Sequence, residues 1–240
     1  MTFLKTLLNL ILPPRCFYCG KVLDEDKGLC DSCISKIDFL NGAVCRRCGR
    51  PLPQMLEDDK KLLCGECLKP HRRKWFRLAR SAAAYDEFSK KLILDFKFYD
   101  KTDLASLLAK MMFVAGKDIF EAGVDIIVPV PLHYTRLMKR KYNQSALLAK
   151  ELGKLAKIKV AYDAVIKKRK TKPQVECSGD ERLQNVRDAF VVKNPEKVAG
   201  KRILLIDDVL TTGTTLKECT LALKKAKPKS VDWLTVTRVV

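Results

Sequence analysis

The residues best suited to chemistry follow an apolar run near the C-terminus. Arg202 to Ile206 reads as a buried strand, and the adjacent carboxylates Asp207 and Asp208 come directly after it. Two neighbouring carboxylates repel each other unless a diol, a metal ion or a basic group receives them. A threonine-rich loop then opens a helix, where hydroxyls and free backbone N–H groups can bind a phosphate. The loop consists of Thr211, Thr212, Gly213, Thr214 and Thr215.

Carboxylates beside a phosphate-binding loop predict one ligand that carries both a diol and a phosphate, a ribose 5-phosphate. The alternative for this stretch is a strand–turn–helix joint whose helix is capped and which binds no ligand.

The cysteines form a second candidate site, because eight of the ten fall as four Cys-x-x-Cys pairs within the first 70 residues. Two such pairs can supply a tetrahedral shell of four thiolates to one zinc ion. We expect two zinc ribbons in tandem, paired in order, although the spacing also allows the first pair to join the third. Four thiolates leave no open position for water, so both zinc sites are expected to be structural. The pairs are Cys16/Cys19, Cys30/Cys33, Cys45/Cys48 and Cys64/Cys67.

The elements that would position the two carboxylates are alternating strands and helices, which begin near Leu78. This alternation predicts an α/β domain with a largely parallel sheet, preceded by a small double zinc-ribbon domain. We expect the domains to cover residues 1–74 and 75–240. In such sheets ligands bind beyond the carboxyl ends of the strands. The predicted strands are 79–85, 125–130, 163–168, 189–192, 201–207 and 230–237, and the predicted helices are 89–98, 102–115, 143–156 and 214–226.

The composition excludes several classes of protein. A chain that is 47% hydrophobic is neither disordered nor collagen-like. The early apolar stretch, residues 2–12, is shorter than the roughly 20 residues that span a bilayer, and it lacks a cleavable signal pattern. We therefore expect a cytoplasmic protein without a membrane span. The apolar face of this stretch is expected to pack on its own domain, with a partner or the inner face of the membrane as the alternative.

Two stretches resemble known families. Residues 203–215, ILLIDDVLTTGTT, resemble the phosphoribosyl pyrophosphate motif of type I phosphoribosyltransferases. Residues 125–144, DIIVPVPLHYTRLMKRKYNQ, resemble the ComF family, as do five further positions. Those positions are Gln174, Arg182, Asn185, Ala189 and Phe190. The likeness extends over nearly the whole chain, with one departure: Lys141 stands where the family has glycine, and it is strained if that position requires a positive φ.

The resemblance implies a fold, ligands and a biological role. Members of the ComF family join an N-terminal zinc ribbon to a phosphoribosyltransferase-like domain. They are cytoplasmic proteins needed for the uptake of transforming DNA in natural competence. Type I phosphoribosyltransferases bind phosphoribosyl pyrophosphate with Mg²⁺, and pyrophosphate leaves C1 of the ribose as a base nitrogen or ammonia takes its place.

The resemblance also implies roles for single residues. Asp207 and Asp208 would hold the ribose 2- and 3-hydroxyls, and the loop from Thr211 to Thr215 would receive the 5-phosphate. The leaving pyrophosphate would meet a second loop and the catalytic candidates Arg140 and Lys170, of which Lys170 belongs to a lid that closes over the site. The second loop consists of Pro131, Leu132 and His133. The alternatives are that Arg140 is a solvated surface charge and that His133 caps a turn.

The charge of the chain supports a different class of function. There are 47 basic and 28 acidic residues, a net charge of +19, and residues 131–182 alone hold 14 basic against 5 acidic residues. Such a field attracts phosphate backbones. Trp75 and Phe76 could stack bases beside it, or else pack at the domain junction. The nucleic-acid candidates are Lys167, Lys168, Arg169, Arg72 and Arg73.

We favour a ComF-like protein that binds phosphoribosyl pyrophosphate with Mg²⁺ and acts in uptake of transforming DNA. One alternative is an active phosphoribosyltransferase of nucleotide salvage or synthesis, a glycosyltransferase that transfers a pentosyl group to an undefined acceptor. The other is a non-catalytic module that binds single-stranded DNA or a DNA-uptake helicase.

Overall fold

A parallel sheet of four strands forms the centre of the molecule. The computed structural model describes residues 13–25, 27–53, 62–69, 75–99, 101–168 and 189–240. The strands are β1 (Ala79–Ala84), β2 (Ile126–Pro129), β3 (Val165–Lys167), β4 (Phe190–Val192), β5 (Arg202–Leu210) and β6 (Ser230–Arg238). The order in the main sheet is β1-β6-β5-β2, with every pairing parallel, and β3 pairs antiparallel with β4. The predicted parallel α/β fold is confirmed.

Helices cover both faces of the sheet. They are α1 (Asp31–Ile34), α2 (Gly65–Leu68), α3 (Glu87–Phe98), α4 (Leu104–Ala115), α5 (Lys117–Glu121), α6 (Tyr134–Arg140), α7 (Gln144–Ala156) and α8 (Thr214–Lys224), with a 3₁₀ turn at Pro195–Lys197. Helix α3 begins two residues before its predicted start because Asp86 and Ser89 form a capping box. No helix in the described ranges is both long and apolar enough to cross a bilayer. The predicted N-terminal helix and the boundary between residues 74 and 75 lie outside those ranges.

Strand β5 is longer than the sequence indicates, and the prediction that it ends at Asp207 is wrong. Pairing with β6 carries it on to Leu210, with Asp207 opposite Thr235 and Leu210 opposite Arg238. Strand β2 pairs with β5 only as far as Ile206. Asp207 and Asp208 therefore lie inside β5 but beyond the end of β2. Strand β6 therefore pairs with β5 beside Asp207, whereas β2 does not extend that far.

The two ribbons pack on opposite faces of the sheet. Ile203 and Leu205 of β5 belong to a core cluster with α8 and the cysteines from Cys45 to Cys67. Leu204 and Ile206 face the other side, in a cluster with α3, α4, α7 and cysteines of the first ribbon. This alternation follows from the two-residue period of a strand. Each ribbon thereby shares a core with the α/β domain.

The chain between the ribbons covers the open edge of β1. Phe39 forms an antiparallel bridge with Ala83, and the Leu40 N–H donates to the Ala82 carbonyl at 3.0 Å. At the opposite edge, Ile127 of β2 bridges Val160 in parallel. Both edges of the sheet thus have backbone partners, which reduces the exposure of unpaired strand groups.

Candidate functional site

The eight knuckle cysteines form two separate groups. Within each group the four Sγ atoms all lie within 4.8 Å of one another. The groups are Cys16, Cys19, Cys30, Cys33 and Cys45, Cys48, Cys64, Cys67. This confirms pairing in order and overturns the cross-braced alternative. The four sulfurs of each group can bind one tetrahedral zinc ion. No position is then left for a reacting water, so the zinc sites are structural.

Backbone donors prepare both groups for a metal. The Cys30 N–H donates to Cys16 Sγ at 3.4 Å, and the Cys64 N–H donates to Cys45 Sγ at 3.3 Å. Burial opposes ionisation of Cys16, but the backbone N–H groups of Cys19, Cys30 and Tyr18 outweigh it and lower the pKa of the Cys16 thiol to about 6. The thiolate, the form that binds zinc, is therefore favoured at Cys16.

The second ribbon is fixed to strands β1 and β6 by hydrogen bonds to its backbone. The Arg80 guanidinium donates to the Arg46 carbonyl at 2.8 Å, and the Ala79 N–H donates to the Arg47 carbonyl at 2.8 Å. Arg238, at the carboxyl end of β6 and 3% exposed, donates to the Cys48 carbonyl. Three successive carbonyls of one zinc knuckle are thus bound by strands β1 and β6.

The carboxylate pair is held by residues from two helices. Asp207 Oδ1 accepts from Ser145 Oγ and from the Asp208 backbone N–H, each at 3.0 Å. Asp208 Oδ2 lies 2.9 Å from Lys97 Nζ. Burial, and then the neighbouring charge of Asp208, raise the pKa of Asp207 to about 7. Near neutral pH the Asp207 carboxyl is therefore close to half-protonated.

The threonine loop begins three residues after Asp208 in the chain. Gly213 has a φ of +78° immediately before α8, a conformation in which a side chain is disfavoured. Thr212 Oγ1 lies 2.8 Å from Thr214 Oγ1 and accepts from the Thr214 N–H at 3.4 Å. Thr214 is buried, Thr215 is half-buried, and Thr211 and Thr212 are exposed. The loop thus presents hydroxyls and first-turn N–H groups at the same end of β5 as the carboxylates.

The second predicted loop, Pro131 to His133, follows β2 and leads into α6. His133 is buried, and its Nδ1 accepts from the Thr135 N–H at 3.4 Å. His133 therefore caps α6, which is the structural role that the sequence left open for it.

Arg140 lies at the end of α6. Its guanidinium stacks over the Phe98 ring at 4.7 Å and donates to Gln144 Oε1 at 3.3 Å. Lys141, where the resemblance predicts glycine, has a φ of +63° and a ψ of −23°. The condition for strain at this position, a positive φ, is met.

The nucleic-acid candidates are only partly within the described residues. Lys167 lies over the Phe190 ring at 5.3 Å, and Lys168 is exposed. Phe76 packs against Trp233 with ring centroids 4.3 Å apart, and Lys217 stacks over Trp75 at 4.7 Å, so both aromatics contact the α/β domain. Outside the described ranges lie Arg72, Arg73, Arg169, Lys170, Gln174, Arg182 and Asn185.

Sequence reasoning missed Lys97 and Ser145, which contact the carboxylates. The segment from Arg140 to Gln144 brings them there: Tyr142 Oη donates to the Phe96 carbonyl at 2.6 Å, and Gln144 Nε2 donates to the Lys97 carbonyl at 3.3 Å. Ser145 directly follows this segment. A lone lysine near the end of an amphipathic helix carries no local signal, so only the packing of α3 against α7 could have identified Lys97.

The fold and the site define a class of protein, a double zinc ribbon joined to a phosphoribosyltransferase-type α/β domain. A double zinc ribbon domain model matches residues 7–68, and a phosphoribosyl transferase domain model matches residues 143–238. Relatives that match most of the chain define the family within this class. Competence protein F of Haemophilus influenzae is 30% identical over 88% of this chain and 91% of that protein. The chain belongs to the ComF family.

Two further relatives have similar coverage. The DNA utilization protein YhgH of Escherichia coli K12 is 32% identical over 87% of this chain and 90% of its own length. Competence protein ComFC of Bacillus subtilis is 28% identical over 90% of this chain and 87% of its own length. The similarity in each case includes both the ribbons and the α/β domain.

Proposed function

We propose that this protein binds phosphoribosyl pyrophosphate with Mg²⁺ at the carboxyl end of β5 and acts in the uptake of transforming DNA. The observation that carries the binding proposal is the position of Asp207 and Asp208 beyond the end of β2, beside the Gly213 loop. A pair of carboxylates accepts hydrogen bonds from a vicinal diol, and the loop offers donors to a monoester phosphate. Both halves of a ribose 5-phosphate are thereby matched at one end of one strand.

Different residues bind different parts of the ligand in this proposal. Asp207 and Asp208 accept from the ribose hydroxyls, and Thr211 to Thr215 donate to the 5-phosphate. The loop from Pro131 to His133 lies after the neighbouring strand β2, where it meets the pyrophosphate, and Arg140 follows one helix later. Mg²⁺ takes oxygen ligands, which the ligand's own phosphates and the carboxylates supply.

The role in DNA uptake is supported by the relatives. Two of them are named competence proteins and a third is named a DNA utilization protein. In this proposal the protein acts in the cytoplasm. Its basic surface, which includes Lys167 and Lys168, meets single-stranded DNA or a helicase that handles it.

A second candidate is turnover, in which pyrophosphate leaves C1 of the ribose and an acceptor nitrogen takes its place. The retained carboxylate pair and threonine loop favour it, since both are matched to the pentosyl donor. This glycosyltransferase activity predicts release of pyrophosphate when nucleobases or ammonia are added with phosphoribosyl pyrophosphate and Mg²⁺.

Two assays test the proposal. Equilibrium dialysis of the zinc-loaded protein is expected to detect phosphoribosyl pyrophosphate binding that the Asp207→Asn/Asp208→Asn variant loses. In a naturally competent host that depends on this protein, the same variant is expected to lower the transformation frequency. Absence of binding at ligand concentrations up to about 1 mM, a range that includes affinities near −4 kcal/mol, contradicts the ligand. A normal transformation frequency in the variant would contradict a role of the Asp207–Asp208 site in DNA uptake.

A further inference from the structure

Lys97 stands apart from the other lysines of its helix. It is the penultimate residue of α3, its side chain is 19% exposed, and its Nζ contacts Asp208. Lys90 and Lys91 on the same helix have side chains that are 47% and 46% exposed. A lysine side chain normally keeps its charge in water. Lys97 instead directs its ammonium group toward Asp208, beyond the end of β2.

The backbone at Lys97 is held by hydrogen bonds from a neighbouring segment. Its carbonyl accepts from Gln144 Nε2 at 3.3 Å, and the preceding carbonyl, that of Phe96, accepts from Tyr142 Oη at 2.6 Å. The last turn of a helix leaves such carbonyls without intrahelical donors. Tyr142, which precedes α7, and Gln144, its first residue, supply the donors. Asn143 of the same segment donates to the Val130 carbonyl at 3.0 Å. The segment therefore connects the end of α3 to the end of β2.

We propose that Lys97 is a further positioning residue of the site, a cation that keeps Asp207 and Asp208 ionised and aligned to accept the hydroxyls of a ribose phosphate. The inference rests on the proposed function, because it assigns a role in binding that ligand. The role of Lys97 can nevertheless be tested separately from the proposed function, because the effect of Lys97 on the carboxylates is measurable without any ligand.

The charges around the pair support this role. Asp208 raises the pKa of Asp207, and Lys97 lowers it. Within the part of the chain that the structure describes, the other groups shown beside Asp207 are neutral. They are Ser145 on α7, Thr235 on β6 and the Cys219 thiol on α8, whose pKa burial raises. Lys97 is thus the positive charge that opposes the repulsion between the carboxylates. Without it the pair gains a proton at higher pH, and a protonated carboxyl donates where the diol requires an acceptor.

The test compares four proteins, each loaded with zinc: the wild type, Lys97→Met, Lys97→Arg and Lys90→Met. Lys90 is the matched control, since it lies on α3 and pairs with the exposed Glu87 at 3.6 Å. Calorimetric titration with phosphoribosyl pyrophosphate and Mg²⁺ is run from pH 6 to pH 9. We expect Lys97→Met to weaken binding about fivefold at pH 7, because a rise of roughly one unit from a pKa near 7 lowers the ionised fraction of Asp207 from about one half to about one tenth. The pH below which affinity falls should also move upward. Lys97→Arg restores most of the affinity, and Lys90→Met is unchanged.

A second measurement needs no ligand. Titration of the Asp207 carboxyl by ¹³C NMR is expected to give a higher pKa in Lys97→Met than in the wild type and in Lys90→Met. An equal pKa of Asp207 in all proteins overturns the inference. Tighter ligand binding by Lys97→Met also overturns it, because the Lys97–Asp208 ion pair would then compete with the ligand. If the wild type binds no phosphoribosyl pyrophosphate, the proposed function fails, and the NMR titration still decides whether Lys97 controls the charge of the pair.

Discussion

Replacing Lys141 by glycine is expected to stabilise the protein. Among the described residues, Lys141, Lys157 and Lys227 have a positive φ without being glycine. The left-handed region open to residues with a side chain lies near φ +50 to +70° and ψ +30 to +60°. Lys157, with φ +56° and ψ +38°, is inside that region, whereas Lys141, with φ +63° and ψ −23°, is outside it. Glycine relieves the strain because it has no Cβ.

The size of the effect follows from these angles. A residue with a Cβ loses about 1–2 kcal/mol in the left-handed conformation, and glycine gives back about 0.4–1 kcal/mol through the entropy of the unfolded chain. The difference between these two ranges is about 0–1.6 kcal/mol, and we expect Lys157→Gly to lie near its lower end because Lys157 is inside the allowed region. Lys141 departs further from the allowed region, so Lys141→Gly is expected to gain about 1 kcal/mol. For a protein of this length that corresponds to a rise in Tm of about 2–4 °C.

Urea denaturation of the zinc-loaded protein measures the free energy of unfolding, with circular dichroism as the signal. Lys141→Ala is the matched control, because it removes the same side chain beyond Cβ but keeps the Cβ itself. The expected order of stability is Lys141→Gly above wild type, with Lys141→Ala no more stable than wild type. A glycine variant that is less stable than the alanine variant would refute the reasoning, since strain at Lys141 would then not be the dominant effect.

Three further predictions concern the zinc sites, the Gly213 loop and Asp207. Cys64→Ser is expected to shift the fluorescence of Trp233, which shares a core cluster with the second zinc site, whereas Cys30→Ser, on the opposite face of the sheet, leaves the emission spectrum near that of wild type. In Gly213→Ala the added Cβ would lie 3.4 Å from Leu210 and Trp233, which is ordinary contact, but φ is +78°, where a side chain is strained. Dialysis should therefore show phosphoribosyl pyrophosphate binding weakened about tenfold, the equivalent of 1.4 kcal/mol, and equal affinity would contradict the loop assignment. Because the folded pKa of Asp207 is raised to about 7, its contribution to stability should fall as pH rises from about 4 to 7, and urea denaturation across this range should show that Asp207→Asn removes that fall.

The zinc ribbons and the carboxylate–threonine motif could be predicted because their signals are local. A Cys-x-x-Cys pair is complete within one turn, and the order of the pairs left only the choice between sequential and cross-braced sites. Asp207, Asp208 and Gly213 lie within seven consecutive residues, so their proximity needs no knowledge of the fold. The strand before them is an apolar run that can be recognised without a partner.

Features that depend on partners distant in the chain could not be predicted. The extension of β5 to Leu210 requires pairing with β6, and the contact of Lys97 with Asp208 joins residues of α3 and β5. Helix α6 is only seven residues long, and an element this short gives a weak periodic signal. The docking of the second knuckle through Arg80 and Arg238 likewise depends on strands that are far apart in sequence.

A crystal structure of the zinc-loaded protein with phosphoribosyl pyrophosphate and Mg²⁺ tests the central claim most directly. The account predicts the ribose hydroxyls within about 2.5–3.0 Å of the Asp207 and Asp208 carboxylates, a normal O–H···O distance, with the 5-phosphate against the loop from Thr211 to Thr215. A ligand bound elsewhere, or a bound ligand whose phosphate does not touch that loop, would contradict it.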